Sequence, residues 1–242
     1  MNQSNLKKLQ NLLKEKDIDI FVINRSDEYL NEYISPNAER LNFITNFSGS
    51  AGRAIITPTD AFLYVDGRYT FQANTQINAK EIQAKHLNSF WTDLEKILLE
   101  EEYKIALDPT LHSIIEIEKV EKMLENSTSQ LQLIDKNFVD LIWENQPKTQ
   151  YTDIFDHPTS FAGQSRSEKL DILKKFLDQN EIDHYFVSGL DNIAWLLNLR
   201  ADDIKYTPLL YSYLLISKNN KHSLYIKESS MPEILKLSLI HI

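Results

Sequence analysis

The 242-residue chain contains no cysteine, which excludes disulfides, thiolate nucleophiles and cysteine-bound zinc. Long apolar runs are also missing, because the run Ile20–Ile23 near the N-terminus is far shorter than the roughly 20 residues that cross a bilayer. Met1–Lys14 alternates polar and apolar residues and lacks the apolar core of a signal peptide. From these absences we expect a soluble, cytoplasmic protein that does not bind membranes.

Basic side chains are in the minority, with 26 Lys and Arg against 35 Asp and Glu and a net charge of −9. A phosphate backbone is repelled by that balance, and no stretch of the sequence forms a basic patch. We therefore expect no nucleic-acid partner. Hydrophobic residues make up 42% of the chain and charged residues 25%, which predicts folded domains with cores rather than disorder.

Recognisable metal-binding spacings are also absent. The six histidines show neither H-x-x-x-H nor H-E-x-x-H. Two close pairs of carboxylates, Asp17 with Asp19 and Asp202 with Asp203, occur where turns and helix starts favour Asp for capping alone. The residues themselves therefore predict no catalytic residue and no metal ligand in this chain.

Glycine is scarce, with five in the chain, and two of them lie in the segment Phe47–Gly52. Because Ser50 directly follows Gly49, the segment matches neither the G-x-S-x-G nucleophile elbow nor the glycine motifs that bind phosphates. We interpret it as a tight turn before a strand at Arg53–Thr57, with glycine where the backbone needs positive φ. A contact between its backbone and a ligand is the alternative.

The chain repeats itself in a pattern of apolar residues. Four leucines at helical spacing near the N-terminus recur as three leucines and a phenylalanine after a constant offset of 164 residues, and a buried strand recurs with them. After a shorter connector, a second helix and two strands match as well. The pairs are Leu6/Leu170, Leu9/Leu173, Leu12/Phe176, Leu13/Leu177, Phe21–Ile23/Tyr185–Val187, Phe43/Trp195, Asn46/Asn198, Phe47/Leu199, Ile55–Ile56/Leu215–Ile216 and Leu63–Val65/Leu224–Ile226. This order of helix, strand, helix and hairpin predicts two related α/β domains.

The boundary between the two domains falls where the periodicity lapses. The sequence predicts a first domain at 1–147, a Pro- and polar-rich linker at 148–164, and a second domain at 165–242 that ends as though cut within its fold. In the first domain we expect helices near Phe90–Leu99 and Leu111–Leu124 and a strand at Lys104–Leu107. Ser165 and Glu168 predict a capping box that opens the first helix of the second domain.

The turn Asp66-Gly67-Arg68-Tyr69 lies between a strand at Phe62–Val65 and a helical stretch. An Arg at such a turn is able to pair with the carboxylate of a ligand in bidentate fashion. The alternative that chemistry alone favours is a surface ion pair between Arg68 and Asp66.

Several segments occur in an order and spacing shared with a known family. They are Asp27-Glu28-Tyr29, Tyr33-Ile34, Arg40 through Gly52, Val65-Asp66-Gly67-Arg68-Tyr69, Gln72-Ala73, Leu107-Asp108-Pro109, Asn137 through Trp143, and Leu190 through Arg200. Together they resemble the cytosolic, three-domain type of Xaa-Pro aminopeptidase in the creatinase/methionine-aminopeptidase clan. The likeness extends over nearly the whole chain.

The resemblance implies an α/β fold made of two related creatinase-N-like domains with mixed sheets flanked by helices, the second of them truncated. It implies hydrolysis of the bond between an N-terminal residue and a following proline, in a homodimeric enzyme. The two divalent metal ions, usually manganese, belong to a third, catalytic domain, where they activate a hydroxide and stabilise the developing charge. This chain has no counterpart of those ligands, so on its own it is expected to be inactive and to contribute substrate gating and assembly.

One substrate contact is implied by the resemblance, because the Arg of the D-G-R-Y turn reaches toward the peptide-binding cleft. Arg68 is therefore our candidate substrate-binding residue, although Tyr64-Val65 stands where the family often has Trp-Thr. Trp143 and Trp195 are expected to be core anchors. The alternative function is a stand-alone protein- or peptide-binding module without catalysis.

Overall fold

The computed structural model describes residues 3–125, 127–219, 221–230 and 232. The chain divides into two compact units, Met1–Lys148 and Thr149–Ile242. Among the described residues, every helix is too short or too polar to cross a membrane.

The first unit is an α/β layer structure built on one mixed sheet. Its elements are α1 (Asn5–Glu15), β1 (Ile20–Asn24), α2 (Arg40–Thr45), β2 (Gly52–Ile56), β3 (Ala61–Val65), α3 (Thr70–Gln76), β4 (Gln83–His86), α4 (Phe90–Glu100), β5 (Lys104–Leu107), α5 (Ile114–Leu124), β6 (Gln130–Leu133) and α6 (Phe138–Ile142). The strand order is β4-β3-β2-β1-β5-β6. The central strands β1, β2 and β3 are antiparallel, whereas β4, β5 and β6 join by parallel pairing.

Both faces of this sheet are covered, because successive side chains of a strand point to opposite faces. Phe21 of β1 packs in a core with α1, α2, α3 and α6. Its neighbour Val22 packs in a second core with α4 and α5. All five residues of β1 are therefore buried, as expected for a central strand with helices on both sides.

The second unit contains β7 (Phe155–Asp156), α7 (Thr159–Ala162), α8 (Arg166–Gln179), β8 (His184–Val187), α9 (Leu190–Leu197), β9 (Leu199–Arg200), β10 (Tyr213–Ser217) and β11 (Ser223–Tyr225). Among the described residues, β11, β10 and β8 form an antiparallel sheet, in contrast to the mixed sheet of the first unit. β7 pairs with β9. The segment 148–164, expected to be a linker, thus contributes a strand and a short helix to the second unit. The predicted end of the chain within a fold concerns residues 239–242, which lie outside the described residues.

The predicted repeat is confirmed by the order and pairing of the elements. α1-β1-α2-β2-β3 and α8-β8-α9-β10-β11 follow the same course with the same antiparallel partners. The helices end in the same way, because Asp17 and Glu181 have φ of 55° and 57°, and Asn46 and Asn198 have φ of 62° and 50°.

Even an anchoring hydrogen bond recurs between the two units. The side chain of Asn5 donates to the carbonyl oxygen of Phe43 at 3.0 Å. At the equivalent positions, the Nζ of Lys169 donates to the carbonyl oxygen of Trp195 at 2.7 Å. Helix α1 thus holds α2 in the first unit, and α8 holds α9 in the second.

The local predictions for elements hold with small shifts. The helix expected from Leu111 begins at Ile114, because Ser113 and Glu116 form a capping box there. The capping box predicted at Ser165 and Glu168 is present. The strand at Lys104–Leu107 has the predicted bounds.

The two candidate core tryptophans behave differently. Trp143 is half-buried and stacks on Phe43, with ring centroids 4.3 Å apart. Trp195 is 54% exposed, so the expectation that it anchors a core is wrong. In the repeat, Trp195 corresponds to Phe43. The ring of Phe43 is covered by Trp143, which is why the two equivalent positions differ in exposure.

Candidate functional site

The candidate site lies at the edge of the first unit's sheet where β3 ends. Gly52 at the start of β2 is paired with Val65 at the end of β3. The segment Phe47–Gly52, which we call the glycine loop, therefore lies beside the turn Asp66–Tyr69, which we call the Arg68 turn. The same edge includes the end of β1, because the amide of Arg25 donates to the carbonyl oxygen of Gly52 at 3.1 Å.

The Arg68 turn is a single turn of 3₁₀ helix capped by a carboxylate. Asp66 Oδ1 accepts hydrogen bonds from the amide of Arg68 at 3.0 Å and from its Nε at 2.9 Å. These bonds lower the pKa of Asp66, with the Arg68 side chain as the largest cause. The hydrogen bond to Asp66 raises the pKa of Arg68 in turn. The ion pair that the sequence offered as an alternative is therefore present.

The ion pair does not use the whole guanidinium group. The Arg68 side chain is 75% exposed and lies over the ring of Tyr69 at 5.6 Å. Within the part of the chain that the structure describes, its two terminal nitrogens make no hydrogen bond with another residue. Asp66 thus orients the Nε side of the fork, and the outer side remains available for a ligand carboxylate or carbonyl.

The glycine loop is held against α3 by its serines. Ser48 Oγ accepts from the side-chain amides of Gln72 at 3.2 Å and Gln76 at 2.8 Å. The hydroxyl of Ser50 lies 2.7 Å from the hydroxyl of Tyr69. The contact with Ser50 holds Tyr69, whose ring lies under Arg68, so the loop supports the Arg68 turn.

The reason for glycine in this loop differs from the one expected. Neither Gly49 nor Gly52 has positive φ, so that prediction is wrong. A Cβ at Gly49 would lie 2.2 Å from the buried ring of Phe47, and one at Gly52 would lie 3.2 Å from the carbonyl oxygen of Tyr64. Close packing, rather than backbone conformation, excludes a side chain at Gly49.

A pocket of about 270 Å³, with a mixed polar and apolar lining, adjoins the glycine loop and is lined in part by Ser50–Arg53. Its two arginines, Arg25 and Arg53, were not among the residues expected at a site. Arg25 donates to the carbonyl oxygens of Glu32 at 2.8 Å and Ser50 at 3.2 Å, and to Glu39 at 3.0 Å. Burial raises the pKa of Glu39 against the opposing effect of Arg25. Arg25 thus ties the loop after β1 to the glycine loop.

The second arginine of the pocket, Arg53, is stacked on aromatic rings. Its guanidinium lies 4.7 Å from the ring centre of Phe90 and 5.3 Å from that of Trp91, and it donates to Glu116 at 2.8 Å. Burial acts to raise the pKa of Glu116, but Arg53 and the amide of Ser113 hold it below its usual value. The pairing of Asn24 with Arg53 across β1 and β2 brings these arginines together, and sequence spacing gives no signal of it.

In each of the two carboxylate pairs considered for a metal, at least one carboxylate has a structural partner. Asp203 accepts from the amide and hydroxyl of Thr152 at 2.6 and 2.9 Å, and from the amide of Tyr211 at 3.0 Å. Asp17 pairs with Lys104. Across the described ranges, no three Asp, Glu or His side chains are grouped so that they could hold a metal ion. These residues therefore do not fit a metal centre.

Comparisons with known proteins bear on both units. Residues 5–136 match the family model described as "Creatinase/Prolidase N-terminal domain", and residues 145–241 match a second model with the same description. Probable Xaa-Pro aminopeptidase P from Paracoccidioides brasiliensis strain Pb03 is 34% identical over 97% of this chain. The corresponding Aspergillus niger protein is 35% identical over 95%. The chain spans 38% of the length of each of these relatives.

A solved structure agrees with both matches. The X-prolyl aminopeptidase of Caenorhabditis elegans, described as a cytosolic enzyme with a di-nuclear active site, aligns with a TM-score of 0.90 at 27% identity. The alignment covers 98% of this chain and 40% of that enzyme. The chain belongs to the creatinase/prolidase N-terminal domain family and resembles the N-terminal region of Xaa-Pro aminopeptidases.

Proposed function

We propose that this chain is the non-catalytic N-terminal part of a metal-dependent Xaa-Pro aminopeptidase, which removes the residue that precedes proline. The observation that carries the proposal is the similarity to Xaa-Pro aminopeptidases P over 97% of the chain. The substrates are then peptides with proline at the second position, and the enzyme is a cytoplasmic homodimer. The two divalent metal ions, manganese in this proposal, belong to a catalytic region outside this chain.

In this enzyme, the first unit gates the substrate through Arg68. Support comes from the exposed outer side of the guanidinium and from the anchoring of its Nε by Asp66 at 2.9 Å. An arginine held in this way presents a planar pair of donors with little loss of side-chain entropy on binding. A peptide carbonyl or a terminal carboxylate is the matching acceptor.

The test compares this chain alone with the same chain joined to the catalytic region of an Xaa-Pro aminopeptidase. With manganese, the joined protein is expected to release the first residue of an Arg-Pro peptide and to leave a matched Arg-Ala peptide intact. A chelator is expected to abolish that activity. The chain alone is expected to show no turnover, with or without metal.

Two results would contradict the proposal. Metal-dependent turnover that copurifies with this chain alone would place the catalytic centre within it. An inactive but folded and metal-loaded joined protein, together with saturable binding of peptides by the chain alone, would favour a stand-alone binding module.

A further inference from the structure

An apolar groove of about 410 Å³ lies on the second unit, between α8, β8 and α9. Ile172, Phe176, Tyr185 and Trp195 line it, and we call it the aromatic groove. Each of the four side chains is 44% exposed or more. Single exposed apolar residues are common on protein surfaces, but a contiguous lined groove indicates a binding surface.

The repeat identifies the counterpart of this groove in the first unit. With the offset of 164 residues, Ile172, Phe176 and Tyr185 correspond to Lys8, Leu12 and Phe21, and the second offset matches Trp195 to Phe43. The counterpart is covered, since Phe21 is fully buried and Leu12 and Phe43 pack against the same core.

The cover in the first unit is α6 together with the tryptophan that follows it. The ring of Phe138 lies 5.1 Å from that of Phe21. Trp143 stacks on Phe43 at 4.3 Å, with 14° between the ring planes. Two aromatic residues five positions apart therefore fill the surface that corresponds to the aromatic groove.

Charged pairs hold this cover in place. Arg40 donates to both carboxylate oxygens of Asp140, at 2.7 and 2.8 Å. Lys8 pairs with Glu144 at 3.4 Å.

The second unit lacks these two basic residues. Asn192 corresponds to Arg40, and Ile172 corresponds to Lys8. A helix docked in the aromatic groove would find no cation at either position, so a carboxylate placed there would lose hydration without regaining the ion pairs that Asp140 and Glu144 make in the first unit.

The base of the groove is preformed. Lys169, which is 2% exposed, donates to the carbonyl oxygen of Trp195 at 2.7 Å and to Asn198 Oδ1 at 2.6 Å, and its Nζ lies 4.5 Å from the Trp195 ring centre. Burial lowers the pKa of Lys169. These contacts fix the end of α9, so a ligand meets a surface that is already shaped.

We propose that the aromatic groove docks a short helix of the α6 type. This helix carries two aromatic anchors five positions apart and uncharged residues in place of Asp140 and Glu144. It belongs to the part of the full-length relatives that this chain does not span, which is more than half of their length. The proposal rests on the proposed function in one respect, that the chain is the N-terminal part of a longer protein, and it does not require that protein to be catalytically active.

The test uses the whole chain and fluorescent peptides that copy residues 136–146. One peptide has Asp140→Leu and Glu144→Ala, a second keeps the natural sequence, and a third has Phe138→Ala and Trp143→Ala as a control. Fluorescence anisotropy is expected to show saturable binding of the first peptide. The second is expected to bind at least tenfold more weakly, and the third not at all.

Variants of the chain separate this groove from its counterpart. Trp195→Ala is expected to abolish binding of the first peptide. The double variant Ile172→Lys, Asn192→Arg is expected to reverse the preference toward the natural sequence, because it restores both basic partners. The melting temperature of each variant shows whether it is folded.

Three results would overturn the proposal. They are no binding of the first peptide at millimolar concentration, binding that persists in folded Trp195→Ala, and a chain dimer in sedimentation that excludes the peptide through the same groove. In the last case, the occupant would be a second copy of the chain.

Discussion

The turn after β3 in the first unit and the turn after β11 in the second have the same backbone conformation but different side chains. Gly67–Tyr69 and Glu228–Ser230 are both 3₁₀ helices, and each closes with a hydrogen bond to the residue before it, at 2.8 Å to Asp66 and 3.0 Å to Lys227. Arg68 in the first turn corresponds to Ser229 in the second. The turn is thus repeated in both units, whereas its central residue is an arginine only in the first.

The two units also differ in how completely their sheets are covered. β1 is buried along its whole length, whereas His184, Tyr185 and Phe186 of the equivalent β8 are exposed. The same fold is therefore maintained by different amounts of apolar burial. Since burial supplies most of the stability of a domain, we expect the two units to differ in stability.

The largest expected effect is in limited proteolysis of the chain. A protease is expected to remove the second unit and leave a resistant fragment that ends between Gln146 and Gly163. Each 100 Å² of apolar surface left in water forfeits roughly 2.5 kcal/mol, and local opening follows such exposure. Mass spectrometry of the fragments checks this. Equal resistance through the second unit would mean that the two units are equally stable.

The next effect concerns the covering helix of the first unit. Phe138→Ala is expected to lower the free energy of unfolding by about 3–5 kcal/mol, because the buried ring leaves a cavity against Phe21. Trp195→Ala is expected to cost less than about 1 kcal/mol, because much of that ring is already in water. Denaturant unfolding, followed by a probe in each unit, measures both. Similar losses would show that exposure does not distinguish the two positions.

A smaller effect is expected at the ion pair that fastens α6. Asp140→Asn is expected to lower the stability of the first unit by about 1–3 kcal/mol, since Arg40 keeps a partly buried charge without its bidentate partner. Asn192→Ala at the counterpart of Arg40 is the matched control and is expected to change little. Thermal melts of both variants decide between this result and a purely surface ion pair.

The parts of the fold that sequence predicts are those set by local pattern. The leucines of α1 and α8 repeat at helical spacing, and Ser165 with Glu168 marks a helix start whatever surrounds it. The exposure of Trp195 could not be predicted in this way. It depends on whether a segment distant in sequence covers the ring, as Trp143 covers Phe43 in the first unit. The position of the glycine loop before β2 agrees with the prediction. Its glycines are required by close packing against the ring of Phe47 rather than by a positive φ.

The candidate site was predictable only in part for the same reason. Arg68 lies in a contiguous motif, and the resemblance to a family singled it out. Arg25 and Arg53 come together through strand pairing, and the contact of Ser50 with Tyr69 joins residues from separate loops. No spacing in the sequence encodes these contacts.

We propose that Arg68 contacts the substrate, and its counterpart in the repeat, Ser229, provides the control. In the joined enzyme, Arg68→Ala is expected to lower kcat/KM for an Xaa-Pro peptide by about ten- to a hundredfold. Arg68→Lys is expected to recover part of the loss, because it keeps the charge without the planar fork. Ser229→Ala tests the equivalent turn of the second unit. Asp66→Asn tests the carboxylate that orients Arg68. We expect near-normal kinetics for Ser229→Ala, and unchanged metal content and melting temperature in all of these variants. Normal kinetics in Arg68→Ala, or a loss of activity matched by unfolding, would show that Arg68 does not contact the substrate.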